Sequence, residues 1–253
     1  MSSSGLQVEG RVALITGANR GIGRAIVEAL LARGVRRVYA AARKPEALAE
    51  LVGAGEGRVV ALRLDITNAA EVQAAAKQAD DVDLLVNNAG VVSHAFAGFE
   101  DPTWLEAARQ EFDTNVVGTL RVSQAFAPVL ARHGGGAIVN VISVAGLVGF
   151  PPLITYSSSK AALHSVTQTT RQLLRGQGTF VAGVYPGPVD TEMAERFPGP
   201  KASAESAAHA ILAGLEEGLE EIYPDPFAVE YGDAYAVNPK GLEQRIATLG
   251  AAD

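Results

Sequence analysis

Short runs of apolar residues recur along the chain and alternate with longer segments of helical periodicity. The runs are rich in Val, Ile and Leu and are predicted to be buried strands; they comprise residues 12–15, 38–41, 59–64, 84–86, 138–142 and 181–185. Between the first two, Ile22, Ala25, Ile26, Ala29 and Leu30 form one apolar helical stripe. Continuous apolar strands that alternate with amphipathic helices predict an α/β fold, a doubly wound parallel sheet with helices on both faces.

No change in composition divides the 253 residues, so we interpret residues 1–253 as a single domain. Residues 1–8 are predicted to be flexible. Residues 190–201 are predicted to be a mobile substrate loop, because prolines and a glycine at 198–200 interrupt any helix. A helix is predicted at 203–217, a short run at 221–223 and a proline-punctuated tail after it. Long helices at 111–133 and 157–175 are candidate interface elements of a homo-oligomer.

Composition excludes several classes of protein. The 28 acidic residues against 21 basic ones give a net charge of −7, so we expect neither nucleic acid nor anionic lipid as a partner. The absence of cysteine excludes disulfides, thiolate metal sites and cysteine nucleophiles, and the four histidines lack metal-ligand spacing, so no metal is expected. We see no signal peptide and no apolar run of the ~18 residues that a membrane span needs, and we expect a soluble cytoplasmic protein.

A glycine-rich turn follows the first strand. Residues 16–23 read Thr-Gly-Ala-Asn-Arg-Gly-Ile-Gly and lead into a helix, so backbone amides and the helix N-terminus can hold a pyrophosphate. The predicted dinucleotide contacts in this loop are Gly17, Asn19, Arg20, Gly21, Ile22 and Gly23.

The second strand ends without the acidic residue that usually holds the ribose hydroxyls of NAD. Arg43 stands there instead, and with Arg20 it supplies two guanidinium groups for a 2′-phosphate. The sequence therefore favours NADP as the cofactor.

Tyr156 and Lys160 are four residues apart, which places both side chains on one face of a helix. Ser143 lies at the carboxyl end of a predicted strand, the edge at which open parallel sheets bind ligands. Proton exchange by Tyr156 near neutral pH requires its pKa to fall by roughly 2 to 3 units from about 10. A neighbouring ammonium and a cationic nicotinamide ring are the groups expected to lower it.

The Gly-x-x-x-Gly-x-Gly spacing resembles the short-chain dehydrogenase/reductase family, as do Asn87-Asn88-Ala89-Gly90 and the segment from Tyr156 to Ala162. The resemblance implies a Rossmann-type domain. It also implies a catalytic tetrad of Asn115, Ser143, Tyr156 and Lys160.

The resemblance further implies a role for each member of the tetrad. Tyr156 exchanges the proton with the substrate oxygen, and Ser143 hydrogen-bonds that oxygen. Lys160 holds the nicotinamide ribose and favours the phenolate, while Asn115 positions a water that links Lys160 to bulk solvent.

Further cofactor contacts follow from the same resemblance. Asp65 and Ile66 match the adenine-binding position, and Thr191 would bond the nicotinamide carboxamide. Together with Tyr156 and Lys160, the remaining implied contacts are Asn87, Ala89, Gly90, Pro186, Gly187 and Val189. The chain departs from the family at its C-terminus, where Tyr223-Pro224-Asp225-Pro226 replaces the usual Val-Asp-Gly-Gly and leaves the geometry of a dimer or tetramer open.

The segments expected around the nicotinamide are apolar. Their inward candidates are Phe96, Val144, Leu147, Val148, Phe150, Leu153, Met193 and Phe197, and His94 is expected nearby. Ser143, Val144, Phe150, Tyr156, Met193 and Phe197 are predicted to bind substrate. An apolar pocket favours an uncharged hydrophobic ketone or aldehyde over keto acids and sugar phosphates. The other interpretation is that these residues only pack the loop onto the sheet.

The sequence therefore predicts an NADP-dependent carbonyl reductase or alcohol dehydrogenase that acts on a small molecule. A β-ketoacyl-thioester reductase is the alternative enzyme. A non-catalytic dinucleotide sensor on the same fold is the alternative of a different class.

Overall fold

The computed structural model describes residues 5–93, 99–195 and 197–249. Its strands form one parallel sheet in the order β3-β2-β1-β4-β5-β6-β7. The strands are β1 (Val12–Thr16), β2 (Arg37–Ala42), β3 (Val59–Arg63), β4 (Leu84–Asn87), β5 (Ala137–Val141), β6 (Phe180–Val184) and β7 (Glu221–Ile222). The helices are α1 (Gly21–Ala32), α2 (Ala49–Ala54), α3 (Ala69–Gln78), α4 (Trp104–Glu111), α5 (Thr119–Arg132), α6 (Ile154–Leu174), α7 (Ala204–Glu217), α8 (Pro226–Val237) and α9 (Pro239–Leu249).

The pleat of each strand divides the core between the two faces of the sheet. In β1, Ala13 and Ile15 pack with residues of α1 and α7, whereas Val12 and Leu14 pack with residues of α3 and α5. All five residues of β1 are buried because helices cover both faces. The predicted doubly wound parallel sheet is confirmed.

The strand order reverses at β1. From β1 the chain runs outward to β2 and β3, crosses back to β4 on the other side of β1, and continues to β7. The loops after β1 and β4 therefore diverge and leave a crevice at the carboxyl edge of the sheet. Doubly wound sheets bind their ligands at such a switch point, and the glycine-rich loop and residues 87–90 lie there.

The helix predicted at 111–133 is interrupted. A π-helical segment, Phe112–Gly118, separates α4 from α5. A π segment adds a residue to the turn and is often found at functional sites. Here it contains Asn115, a predicted site residue. Apolar periodicity could not reveal it, because the segment continues the same overall helix.

The proline-punctuated tail predicted after residue 223 is mainly helical, which the prediction did not include. Asp225 caps α8 by accepting a hydrogen bond from the amide of Ala228 at 2.8 Å, and Pro226 is the first helical residue. These prolines therefore mark helix starts, since Pro239 likewise begins α9. The side chains of α8 and α9 join Tyr185 and Leu163 in a third apolar cluster beside the sheet.

Of the helices in the described part of the chain, none combines the length and the hydrophobicity of a membrane span. Within residues 5–93, 99–195 and 197–249, no three Asp, Glu, His or Cys side chains are grouped as metal ligands.

Candidate active site

The glycine-rich loop presents bare backbone at the start of α1. Gly17 and Gly21 have φ values of +65° and +53°, which side chains disfavour. A Cβ at Gly23 would lie 2.4 Å from Asn88 Nδ2 and from the carbonyl oxygen of Gly17. Arg20 at the N-cap makes no side-chain hydrogen bond to the helix amides. The loop thus fits a pyrophosphate, because the first amides of α1 are not capped and no side chain fills the turn.

The two arginines predicted to hold a 2′-phosphate lie in different surroundings. Arg43 is exposed just beyond β2, and its positive charge contributes to lowering the pKa of Asp65. Arg20 instead forms an exposed ion pair with Glu192, which follows Thr191. Arg43 therefore lies on the Asp65 side of the crevice, whereas Arg20 is directed toward the loop after β6.

The Asp65 carboxylate is hydrogen-bonded within its own turn. Its Oδ1 accepts hydrogen bonds from the amide and the hydroxyl of Thr67 at 2.9 and 2.7 Å. These bonds, chiefly the hydroxyl one, lower the pKa of Asp65, with the charges of Arg43 and Arg121 adding to the effect. Ile66 is buried, and its carbonyl oxygen accepts from Arg121 at 2.7 Å. The residues predicted to contact adenine are thus held by hydrogen bonds at the edge of the sheet.

Asn87 and Asn88 have different roles in the fold. The Asn87 side chain is buried and donates to Ser123 Oγ at 3.0 Å and Asn140 Oδ1 at 2.9 Å. Asn88 Nδ2 donates to the carbonyl oxygens of Thr16 and Gly17 at 2.9 and 3.1 Å. Asn88, which was not among the predicted site residues, therefore joins the β4 turn to the glycine-rich loop.

Tyr156 and Ser143 meet at the carboxyl edge of β5. Burial raises the pKa of Tyr156 to about 12, although its hydrogen bond with Ser143 lowers it. Ser143 Oγ also accepts from the amide of Ala145 at 3.1 Å. The chain by itself therefore keeps Tyr156 protonated, and the lowering that proton exchange requires is not supplied by the described residues.

Lys160 lies one helical turn after Tyr156 and is buried. Its Nζ donates to the carbonyl oxygen of Val141 at 2.9 Å and lies 5.6 Å from the centroid of the Tyr156 ring. Burial lowers the pKa of Lys160 to about 8. The spacing of four residues correctly predicted that the two side chains are neighbours.

Asn115 connects the π segment to Val91, which follows Gly90, and to Ser159 of α6. Its Oδ1 accepts from the amide of Val91 at 2.8 Å, and its Nδ2 donates to the Val91 carbonyl oxygen at 2.9 Å and to Ser159 Oγ at 3.0 Å. A Cβ at Gly90 would lie 3.2 Å from Asn115 Oδ1 and 3.5 Å from Lys160 Nζ. Asn115 and Lys160 thus lie beside Gly90, and Lys160 in turn lies beside Tyr156, which hydrogen-bonds Ser143.

The segment after β6 lies against the glycine-rich loop. A Cβ at Gly21 would lie 3.0 Å from Thr191 Cγ2. The amide of Gly187 donates to Asp225 Oδ2 at 2.8 Å, and the amide of Val144 donates to the Pro186 carbonyl oxygen at 3.1 Å. The predicted nicotinamide segment is therefore fixed between β5 and the start of α8.

Comparison with known proteins places these features in a family. The family model described as short chain dehydrogenase matches residues 11–201. The chain belongs to the short-chain dehydrogenase/reductase family.

Solved structures of short-chain dehydrogenases are similar over nearly the whole chain. One from Burkholderia cenocepacia, in complex with NADP, is 42% identical with a TM-score of 0.89 and covers 95% of this chain and 99% of its own. One from Burkholderia phymatum, in complex with NAD, is 28% identical with a TM-score of 0.80 and covers 93% of this chain and 98% of its own. A curated relative, a 3-oxoacyl-[acyl-carrier-protein] reductase from Synechocystis, is 34% identical over 74% of this chain and 77% of its own length.

In this short-chain dehydrogenase the predicted substrate residues lie in different surroundings. Val144 is 4% exposed and packs in the apolar cluster of Tyr185 and Leu163, which agrees with the packing interpretation for this residue. Met193 is 48% exposed on the loop after β6.

Phe150 and Phe197 belong to a continuous line of aromatic rings, which we name the aromatic row: Phe150, Tyr231, Phe227 and Phe197. The ring centroids are 6.0 Å apart for Phe150 and Tyr231, 4.1 Å for Tyr231 and Phe227, and 6.2 Å for Phe227 and Phe197. The two middle rings come from α8 and were missed, because the prolines before α8 concealed the helix. The predicted residues His94 and Phe96 lie outside the described residues.

Proposed function

We propose that the protein is an NADP(H)-dependent oxidoreductase that transfers a hydride between the nicotinamide and the carbonyl or alcohol carbon of an uncharged hydrophobic ketone or aldehyde. The observation that supports it best is the convergence of Asn115, Ser143, Tyr156 and Lys160 at the ligand-binding edge of the sheet. A dinucleotide sensor needs the glycine-rich loop but not a buried proton donor with a lysine beside it.

The cofactor is NADP, as the sequence predicts, and it is the dinucleotide bound by the Burkholderia cenocepacia relative. Gly17, Gly21 and Gly23 would hold its pyrophosphate at the start of α1. Arg43 would hold the 2′-phosphate, since its guanidinium is exposed beyond β2 and β2 is not followed directly by an acidic residue. When bound, the cofactor supplies the hydride and, in its oxidised form, a positively charged ring.

Tyr156 is the general acid for carbonyl reduction. As the carbonyl carbon gains the hydride, negative charge develops on the oxygen, and Tyr156 Oη donates its proton to that oxygen. Ser143 Oγ, which hydrogen-bonds Tyr156, holds the same oxygen in place. Because burial keeps the phenol protonated, the free chain is prepared for the reductive direction. Alcohol oxidation reverses the proton transfer.

Lys160 and Asn115 support the proton donor. A protonated Lys160 stabilises the phenolate that remains after the transfer, and its Nζ is held by the Val141 carbonyl oxygen. Both amide hydrogens of Asn115 are used by Val91 and Ser159, which leaves one lone pair of Oδ1 for a water next to Lys160. Such a water would return a proton from solvent through Lys160.

A β-ketoacyl thioester is the second candidate substrate. The specific observation in its favour is the 34% identity to a relative named 3-oxoacyl-[acyl-carrier-protein] reductase. The net charge of −7 disfavours an acidic carrier protein as partner.

We also propose a homo-oligomer. The apolar side chains of Leu105, Phe112 and Val117 are 53%, 37% and 46% exposed along α4 and the π segment, which is consistent with an interface there.

The absorbance of NADPH at 340 nm tests the proposal. Purified protein is incubated with ketones, aldehydes, quinones and β-ketoacyl thioesters, and we expect turnover of at least one hydrophobic carbonyl. Tyr156→Phe removes only the hydroxyl that exchanges the proton, so we expect turnover to fall by about 10² to 10⁴-fold while NADPH binding persists.

Tyr235→Phe is the matched control, because it deletes a phenol hydroxyl on α8, outside the tetrad. We expect this variant to keep its turnover. A folded Tyr156→Phe variant that is as active as the wild type would contradict the mechanism. NADPH binding without turnover of any carbonyl would favour the sensor.

A further inference from the structure

Glu111 is a buried carboxylate next to the active site that the mechanism above does not use. Among the described residues, the buried Asp, Glu, Lys and Arg side chains are Glu111, Lys160 and Asp225. Asp225 accepts two backbone hydrogen bonds and Lys160 donates to the Val141 carbonyl oxygen. Glu111 is 0% exposed, and only one of its two oxygens has a hydrogen-bond partner within the described residues. A buried carboxylate is costly unless a positive charge or several donors stabilise it.

The partnered oxygen, Oε1, accepts from the amide of Ser93 at 2.6 Å. Asn115, four residues later, holds both backbone polar groups of Val91. Glu111 and Asn115 therefore bind alternate residues of one extended stretch, which leads directly from the Gly90 turn. The stretch is therefore held at two residues, and the side chains that hold it belong to α4 and the π segment, which pack on α6.

The second oxygen, Oε2, has no such anchor. The ionisable side chains of α6 that interact with Glu111 are Lys160 and Tyr156, and the negative charge of Glu111 raises the pKa of both. On its own helix, Glu106 and Arg109 are exposed and hydrogen-bond each other, and Asp113 is exposed. His94, adjacent to Ser93, lies outside the described residues.

Resting on the proposed function, we propose that Glu111 is a positioning residue of the dehydrogenase. Its Oε1 fixes the stretch after Gly90, the residue beside Lys160 Nζ, and its charge is the counter-charge of Lys160. The ammonium of Lys160 is then kept charged in a buried site. The position of Glu111 four residues before Asn115 is the sequence signal that identifies it.

An activity-independent test measures the coupling of Glu111 with Lys160. Urea unfolding at pH 7 without cofactor is compared for the wild type, Glu111→Gln, Lys160→Met and the double variant. Gln keeps an oxygen for the Ser93 amide but removes the charge. We expect the double variant to be more stable than the summed effects of the two single variants predict. The difference should be about fivefold or more in the unfolding equilibrium constant. Strictly additive changes in the free energy of unfolding would overturn the proposed pairing of Glu111 with Lys160.

A single variant that does not fold still leaves a decisive outcome. If Glu111→Gln is unfolded because Lys160 is left without its counter-charge, adding Lys160→Met must restore a cooperative transition. A double variant that stays unfolded overturns the proposal. Failure of carbonyl turnover in the wild type would count against the proposed function and not against this pairing, because the unfolding measurement needs no substrate.

The pH profile of alcohol oxidation is the second readout. Oxidation requires deprotonated Tyr156, so its rate rises with pH through the pKa of that phenol. The Glu111 charge raises the pKa of Tyr156 directly and also raises the pKa of Lys160, whose charge stabilises the phenolate. We therefore expect the rising limb of Glu111→Gln to be displaced from the wild-type position, to lower pH where Lys160 stays charged and to higher pH where it loses its proton. Glu111→Asp, which keeps the charge, should leave the limb in place even if kcat falls.

Glu106→Gln is the matched control, since it removes a carboxylate from the exposed face of the same helix. It should match the wild type in both experiments. A Glu111→Gln profile that superimposes on the wild type would show that Glu111 only fills the core.

Discussion

Arg43 and Arg20 carry the same charge, but the structure gives them different surroundings. The sequence predicted both as ligands of a 2′-phosphate. Arg43 stands beside Asp65 without a carboxylate partner of its own among the described ion pairs, whereas Arg20 is paired with Glu192. An exposed ion pair contributes little stability, so Arg20 remains free to exchange partners. At the scale of single residues, cofactor preference is therefore expected to depend mainly on Arg43.

Replacing Arg43 by Asp removes a charge-assisted contact and adds repulsion. We expect the Kd for NADPH to rise by about tenfold or more, and the Kd for NADH to change little. Arg36→Asp is the control, because Arg36 is exposed just before β2, at the end of the strand remote from the site. Fluorescence titration with each dinucleotide measures the change. Equal weakening of NADPH and NADH by Arg43→Asp would rule out a specific phosphate contact.

Helix α8 shows how one capping residue connects an element to the site. Asp225 caps the helix through Oδ1 and holds the amide of Gly187 through Oδ2, so the loop after β6 depends on the helix start. Sequence inspection placed Pro186 and Gly187 at the nicotinamide but missed α8 itself. Apolar residues occur both on the buried side of the helix, at Ala228 and Tyr231, and on its exposed side, at Val229 and Val237. Periodicity therefore could not detect a single apolar face.

Asp225→Ala removes both contacts. Loss of a helix N-cap costs about 1 kcal/mol, and the partly buried amide of Gly187 left without an acceptor adds about 1 to 3 kcal/mol. We therefore expect a fall of about 2 to 4 kcal/mol in the free energy of unfolding, together with a higher KM for NADPH. Urea denaturation and steady-state kinetics measure the two effects.

The matched control for Asp225→Ala is Ser203→Ala. Ser203 caps α7 through a hydrogen bond from the Ser206 amide at 3.0 Å, and among the described residues its side chain forms no hydrogen bond with residues 186–191. We expect it to lower stability by about 1 kcal/mol without a change in KM. If both variants alter KM alike, the Gly187 contact has no special role.

At the scale of the whole molecule, sequence predicted the architecture better than the pocket. Strands buried on both faces give unbroken apolar runs, so the sheet and its ligand edge follow from the pattern. The candidate tetrad could be predicted because its motifs have fixed spacing. The aromatic row could not be predicted, because its rings come from three parts of the chain: the segment after β5, the loop after β6 and α8. No local sequence pattern indicates that these parts meet.

The aromatic row leads to a prediction about substrate class. Phe227 is one of its two middle rings and is partly buried between Tyr231 and Phe197. The cation beside the row, Arg245 over the Tyr231 ring at 4.7 Å, is paired with Glu230, so the row offers a carboxylate little compensation for its lost hydration. We expect kcat/KM to be higher for an aryl or bulky alkyl ketone than for a keto acid of similar size. Burying about 50 Å² of apolar surface contributes about 1.3 kcal/mol, so Phe227→Ala should lower kcat/KM for the hydrophobic ketone by roughly tenfold.

The same variant should change kcat/KM for a small ketone such as acetone much less, because that substrate does not extend to the row. Leu173→Ala, at a residue 76% exposed on α6, is the control and should leave both substrates unaffected. The assay compares both ketones and the keto acid with NADPH in one buffer. A preference for the keto acid would mean that a positive charge reaches the bound substrate, and the apolar assignment of the pocket would then be wrong.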